Sequence, residues 1–411
     1  MTEKTVDISE YNYDLPEERI AKFPLERREF SKLLLYRGWE VVEDVFVNLE
    51  KHLPEGAMLV FNNTKVIRAR LIFYKDTGAR IEIFCLEPHE PADYERAFAA
   101  RGISEWRCIV GNLKKWKGGE LAIEVTIDSE PVRLAAEIID GGETDGDIHV
   151  IRFSWNGGLA FGQMLEKLGR IPIPPYLRRE SEEIDNSRYQ TVYSRFEGSV
   201  AAPTAGLHFT PEIIDGLRGA GHQSGEITLH VGAGTFLPVK SGNAAEHKMH
   251  TEHFEITLDT IRKFIANAGN IIAIGTTTVR TLESLAAFGY RIVVSGSPET
   301  DRPAGQWELY DIPDKYDGKT LLEALACYME RNSLQKLKTA TRIMIMPGFR
   351  FRVVNGMITN FHQPRSTLLL LVSAFTGGDW RKIYDYALSH GFRFLSYGDS
   401  SLLLPAGRWL P

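Results

Sequence analysis

The chain has 411 residues, 43% apolar and 25% charged, the proportions of an ordinary globular protein of about two to three domains. Its longest apolar run falls far short of the roughly 20 residues a membrane helix needs, and the acidic opening MTEKTVDISEYNYDL does not read as a secretory signal. The net charge is −6, and three scattered cysteines (Cys85, Cys108, Cys327) argue against a disulfide framework or thiolate metal site, so a cytoplasmic location is expected.

The first 70 residues alternate short apolar runs with helix-like segments. Pro16 and Glu17 in DLPEERIAKFP suit a helix start, since proline fits the first turn and acids favour the dipole. KLLLY and AMLVFNN read as buried strands. From residue 71 to 155 the character changes. ARIEIFCLE, WRCIVG, LAIEVTI, VRLAAEII and IHVIRFSW are strand-like, separated by glycine, aspartate and asparagine. Closely spaced strands without helices predict a small barrel or sandwich. The expected fold class is α/β: a discontinuous main domain, 1–70 and 156–411, with an inserted small β-barrel-like domain at 71–155.

After residue 156 strand–loop–helix units return, past a proline-rich IPIPPYLRRE that predicts no regular element. RYQTVYSR (188–195) interleaves Tyr189 and Tyr193 with Arg188 and Arg195. Aromatics stack on bases and arginines hold phosphates, but an amphipathic segment packing its tyrosines explains the pattern equally. APTAGLHFT (202–210) and ITLHVGAGTF (227–236) join small residues, which let backbone approach a ligand, to His208 and His230. Thr204 and Gly206 are binding candidates in the first stretch. Thr210-Pro211-Glu212 starts a helix. GAG at 232–234 is no dinucleotide fingerprint, because Leu237 stands at the third glycine position and Pro238 follows. In HKMHTEHFE the spacing of His247, His250 and His253 drifts around a helix, so no metal site is expected; an irregular active-site loop or a solvated face fits better.

IIAIG then TTTVRTLESLAAFG predicts a strand, a turn and a helix with Val279, Leu282, Leu285 and Ala286 on one face. FRFRVV-NG-MITNF predicts a hairpin, because Asn355-Gly356 suits a type I′ turn. The chain then turns through HQPR into STLLLLVSAFTGG, with Ser366 as N-cap and Gly377 as stop. Asn360, His362, Gln363, Arg365 and Ser366 therefore crowd a helix mouth, whose free N–H groups and dipole suit an anion, although capping and anchoring the loop would also use them. From Arg331 to Gly378 there are seven basic residues and no acid, a strip able to meet a polyanion or to be neutralised by acids from elsewhere in the fold.

Taken together and in order, NNTKVIRARL, RYQTVYS, VAAPTAGLHFT, LHVGAGTFLPV, HKMHTEHFEI, GTTTVRTLES, TNFHQPRSTLLLLVSAF and YGDSSLLL closely resemble the S-adenosylmethionine:tRNA ribosyltransferase-isomerase family of queuosine biosynthesis. The resemblance spans almost the whole chain and implies an α/β domain with an inserted β-barrel. It implies S-adenosylmethionine as ribosyl donor and co-substrate, no metal, and a tRNA carrying 7-aminomethyl-7-deazaguanine at the wobble position as acceptor. The product would be epoxyqueuosine, with adenine and methionine released; a monomer is expected. A sulfonium acidifies its neighbouring 5′ C–H, so a base would start the rearrangement, with His208, His230 and His362 as candidates. Asn360, Gln363 and Thr235 would donate to the departing adenine. Arg365 or Arg280, with Ser366 beside the former, would meet the methionine carboxylate or a tRNA phosphate. Tyr189 and Gln190 would contact the base, and Asp399 would hold the aminomethyl ammonium or orient a histidine.

Two departures stand out. Thr339, Ala340, Thr341 and Arg342 replace the family's acidic Gly-Glu-Thr-Asp, with Phe349 where tyrosine is usual, and the segment 286–338 is longer. They keep open a relative that cleaves S-adenosylmethionine for another acceptor. A non-catalytic RNA-binding relative and a metal hydrolase built on the histidine loop also compete with the main reading.

Overall fold

The computed structural model describes residues 5–127, 129–139, 148–232 and 242–407. The chain opens with strands β1 (Lys32–Arg37), β2 (Glu40–Val45), β3 (Met58–Asn62) and the short β4 (Thr64–Val66). It then makes β5 (Arg70–Tyr74), β6 (Arg80–Glu90), helix α1 (Tyr94–Ala99), β7 (Ile103–Gly111), β8 (Leu121–Ile127), β9 (Glu130–Ile138) and β10 (Ile148–Trp155). Helices α2 (Phe161–Leu168) and α3 (Asp185–Arg188) lead to β11 (Phe196–Ser199), α4 (Pro211–Gly219), β12 (Gln223–Leu229) and β13 (Glu252–Thr257). The last part holds α5 (Leu258–Ala266), β14 (Ile271–Ile274), α6 (Thr276–Ser295), α7 (Gly318–Arg331), β15 (Lys336–Thr341), β16 (Gly356–Asn360), α8 (Thr367–Phe375), α9 (Trp380–Ser389) and β17 (Ser400–Leu404).

Nine strands form one sheet in the order β15-β13-β12-β3-β14-β16-β17-β1-β2. Its centre, β12-β3-β14-β16, is parallel. Strands β3, β14 and β16 are buried along their whole length, which is why their sequences run apolar instead of alternating. Their side chains still divide by face. Met58, Val60, Ile271 and Ala273 join a core with α6, α7 and α8, whereas Leu59, Phe61, Ile272 and Ile274 meet Phe46 and Phe209 on the other side.

Between β3 and β12, which pair as neighbours, the chain leaves this sheet and builds a second one. It has six antiparallel strands, β5-β6-β7-β10-β9-β8, and its edges β5 and β8 pack against each other to give a nearly closed barrel. Trp106, Phe153 and Trp155 fill its core together with Phe161 of α2. The α/β class with a barrel-like sheet follows from this arrangement.

Two local expectations give way. Pro16 precedes only a single 3-10 turn, Glu17–Arg19, rather than a longer helix. The Asn355-Gly356 hairpin does not form. The backbone N–H groups of Arg352, Val353 and Val354 donate to the Glu283 carboxylate of α6, at 2.9, 3.0 and 2.9 Å. Asn355 meanwhile pairs with Ile271 through both its backbone N–H and its side-chain oxygen. The residues after the turn then run beside β14 and β17, not back along residues 349–354.

Candidate active site

Strands β12, β14 and β16 end at one edge of the sheet, and an open cleft lies just past them. This is where open α/β sheets bind ligands. Ala202 and Thr204, Thr276 and Thr277, and the run Thr359–Gln363 with Ser366 contribute its walls. Two helix N-termini converge there. Helix α6 starts after Gly275, whose φ of +92° lets the chain turn sharply out of β14. Helix α8 is capped by Ser366, whose hydroxyl accepts from the Leu369 N–H. Each N-terminus carries roughly half a positive charge.

Asn360 ends β16, lines the cleft and touches His208 behind it. Its Nδ2 is 3.1 Å from His208 Nε2 and 3.4 Å from the Asp399 carbonyl oxygen. A carbonyl oxygen can only accept, so the amide nitrogen must face that way. His208 Nε2 is then the acceptor, and Nδ1–H donates to Ser31 Oγ at 2.8 Å. Burial, helped by the charges of Arg393 and Arg28, pushes the His208 pKa down to about 3. With Nδ2 so engaged, Asn360 Oδ1 is a buried acceptor with no partner among the described residues. A ligand donor would complete it.

His362 also lines the cleft. Its Nε2 is 3.0 Å from Thr359 Oγ1, its backbone N–H donates to the Tyr384 hydroxyl, and its carbonyl accepts from Tyr13. Burial pushes its pKa down to about 3. His230 is buried and stacks on Tyr94 at 4.1 Å with the rings parallel to within 4°; burial lowers its pKa to about 4. Its neighbour Val231, not His230, lines the cleft.

Of the residues singled out in the sequence, Thr204, Asn360, His362, Gln363 and Ser366 share the cleft. Others lie elsewhere. Arg280 is 4% exposed, ion-paired with Glu252, and its Nε donates to the Ile343 carbonyl. Arg365 is exposed with a left-handed φ of +53°, and its Nε donates to Asn12 Oδ1. Asp399 accepts from the backbone N–H groups of Lys32 and Arg393 and from the Arg393 guanidinium, while burial raises its pKa. Tyr189 is fully buried against Tyr397, and the Gln190 amide bonds both polar backbone atoms of Val66. Gly206 packs so closely on Tyr193 and Thr191 that an added Cβ would clash. Thr235 lies outside the described residues.

Thr276, Thr277, Tyr176 and Ser396 line the cleft without having stood out as site residues. A strand ending in glycine before a threonine run was the readable signal for the first two. Among the described residues no group of three or more His, Cys, Asp or Glu could hold a metal ion. No helix among them is long and apolar enough to cross a membrane. Three of the seven cations in the strip meet acids from elsewhere: Lys336 and Lys338 meet Glu255, Lys338 also meets Asp93, and Arg350 meets Asp314. At the departure, Thr339 donates to the Thr300 carbonyl, Thr341 bonds Ser284 at 2.6 Å and Arg342 is exposed.

A family model described as "Queuosine biosynthesis protein" matches residues 8–403. An S-adenosylmethionine:tRNA ribosyltransferase-isomerase of Caldanaerobacter subterraneus is 38% identical over 403 residues, covering 96% of this chain and 99% of its own. The enzyme of that name from Thermotoga petrophila is 39% identical over 403 residues, covering 97% and 99%. A crystal structure of an S-adenosylmethionine tRNA ribosyltransferase from Thermotoga maritima is 28% identical, covers 96% of this chain and 100% of that one, and has a TM-score of 0.45. With likeness of this extent along the chain that builds both sheets and the cleft, the protein belongs to the queuosine biosynthesis family of S-adenosylmethionine:tRNA ribosyltransferase-isomerases.

Proposed function

We propose that the protein transfers and isomerises the ribosyl part of S-adenosylmethionine onto 7-aminomethyl-7-deazaguanine at the tRNA wobble position, acting as a cytoplasmic monomer. Epoxyqueuosine-tRNA, adenine and methionine are the products. Residues 71–155 serve as an inserted domain beside the catalytic one. The observation that carries this reading is the cleft itself: two helix N-termini and Asn360, whose buried Oδ1 has no partner among the described residues, border one space.

The parts of S-adenosylmethionine find complements there. Its carboxylate suits the first turns of α6 and α8, where N–H groups and dipoles favour an anion. A donor on adenine or ribose suits Asn360 Oδ1, and His208 acts as a positioning residue that fixes the amide's orientation. Ala201, Val231, Leu368 and Leu395 supply apolar wall. His362 is the cleft histidine left to take the 5′ proton. Burial keeps it neutral near pH 7, so its lone pair is available. A base so weak needs an unusually acidic proton, which the adjoining sulfonium provides.

Adenine release from S-adenosylmethionine, with and without precursor tRNA, read beside the nucleoside mass of that tRNA, tests the reading. Coupled adenine release and the epoxyqueuosine mass are expected. Intact S-adenosylmethionine and unchanged tRNA from folded protein would overturn it. Adenine release without the mass gain would favour another acceptor, a reading the exposed Arg342 at the lost acidic stretch supports.

A further inference from the structure

Behind the His208–Asn360 pair lies a second, smaller and partly open pocket. His208 forms part of its wall, and Ser396 lines both spaces. Three arginines from distant parts of the chain line it: Arg28, Arg188 and Arg393. Pro24, Leu25 and Leu207 form apolar wall between them.

Other shielded arginines of the fold divide in two: Arg352 bonds only backbone carbonyls, whereas several sit on acids. Arg280, Arg291 and Arg179 each pair with a carboxylate, from Glu252, Glu308 and Asp185. Arg28 gives one bond, from Nη1 to the Gln190 carbonyl at 3.1 Å. Arg188 reaches the carbonyls of Glu26 and Leu25, and its Nε is buried without a partner among the described residues. Among those residues neither Arg28 nor Arg188 has a carboxylate within ion-pair distance, and only Arg393 is compensated, by Asp399 at 3.3 Å. Like charges facing each other beside apolar wall are unfavourable unless an anion joins them. Burial and the neighbouring Arg188 charge both push the Arg28 pKa down.

We propose that this three-arginine cavity is a phosphate site for the backbone of the tRNA substrate. The forked guanidinium matches phosphate oxygens, and backbone phosphates fix the register of a nucleic acid on its enzyme. A strand held there lies one His208–Asn360 layer from the cleft where its base would react. The proposal rests on the tRNA reading above.

The test titrates wild-type protein and the Arg28→Gln, Arg28→Lys and Arg218→Gln variants with tRNA across a salt series. S-adenosylmethionine binding is measured in parallel without tRNA. Arg28→Gln is expected to weaken tRNA binding about tenfold or more. It should also lower the slope of log affinity against log salt by about 0.7, the value for one phosphate on a single strand. Its S-adenosylmethionine affinity should not change, Arg28→Lys should keep the salt slope, and Arg218→Gln, an exposed change on α4, should behave as wild type. Unchanged tRNA affinity and slope in Arg28→Gln overturn the proposal. So does joint loss of both ligands, which would mark a structural role, or an equal loss in Arg218→Gln, which would mark general charge. If wild type neither binds tRNA nor releases adenine, the tRNA reading falls separately, and inorganic phosphate becomes the probe. A rise in wild-type melting temperature that Arg28→Gln abolishes would then sustain the cavity as a phosphate site. Equal shifts in both, or none, would overturn it.

Discussion

Glu283→Ala is the substitution whose cost follows most directly from the fold. Glu283 is fully buried in the middle of α6, and its carboxylate accepts three consecutive backbone N–H groups, from Arg352, Val353 and Val354. Val353 and Val354 are 4% and 2% exposed, so water cannot replace their acceptor, whereas Arg352 is only partly shielded. Counting two full penalties and one partial one, at about 1–3 kcal/mol for each stranded buried donor, the variant should lose about 3–6 kcal/mol. That is a large share of the roughly 5–15 kcal/mol of a typical domain. Glu283→Gln keeps one acceptor oxygen but turns an amide NH₂ toward a donor, so its loss should be smaller. Urea unfolding of the three proteins reads the difference as a shift in midpoint. Because Asn355 anchors the start of β16 to β14, the same change should also weaken S-adenosylmethionine binding through Thr359 and Asn360. A Glu283→Ala protein within about 1 kcal/mol of wild type would refute the reasoning.

Three further outcomes are expected. Arg280→Met strands the buried Glu252 carboxylate and should cost about 3–5 kcal/mol of stability, seen in denaturant melts, while a loss confined to S-adenosylmethionine affinity would contradict the placement. Asn360→Asp replaces the amide donor facing His208 Nε2 by an acceptor, so His208 should move its proton to Nε2, and ¹⁵N imidazole shifts should report the change of tautomer. The folded pKa values of His208, His230 and His362, at about 3, 4 and 3, lie below the ordinary 6.5, so their contribution to stability is full above pH 6.5 and lost as pH falls toward the folded values. Each should make stability fall by up to about 1.4 kcal/mol per pH unit between those limits, and melting at pH 7, 6 and 5 should show a smaller slope for His362→Gln.

The elements that could be read from sequence are those whose signals are local. Ser366 caps α8 and Gly377 follows its end because a hydroxyl acceptor and a left-handed residue act within one turn. The run IIAIG followed by threonines gave β14 and α6 for the same reason. Asn355-Gly356 failed because the competing acceptor, Glu283, sits about seventy residues earlier on a helix, beyond any turn rule. The candidate site divides in the same way. Asn360, His362, Gln363 and Ser366 fall together because one loop carries them. Arg280 and Gln190 look like ligand contacts in sequence, yet each already has protein partners contributed from far along the chain. The cationic strip from 331 to 378 is likewise broken up by Glu255, Asp93 and Asp314, while the arginine cavity gathers residues 28, 188 and 393 that no window would join.

This redistribution of charge has a chemical logic. Among the described residues, those lining the main cleft include no carboxylate, lysine or arginine, and burial keeps its His362 neutral. S-adenosylmethionine brings a sulfonium, so a guanidinium beside it would oppose binding and disfavour the positive charge that acidifies the reacting C–H. Helix N-termini can take the methionine carboxylate with partial charges confined to their first turns, leaving the sulfonium end against neutral hydroxyls, an amide and apolar wall. A polynucleotide has the opposite need, and Arg28 and Arg188, with no carboxylate within ion-pair distance among the described residues, line a separate pocket that His208 also borders. His208 lines the arginine pocket but not the cleft, and stays uncharged because it is buried there, with Arg393 and Arg28 on one side and the Asn360 amide, which borders the cleft, on the other. A protonated His208 would lose its acceptor lone pair, release Asn360 and add a third uncompensated cation to the arginine cavity, so one neutral imidazole keeps the two electrostatic environments apart.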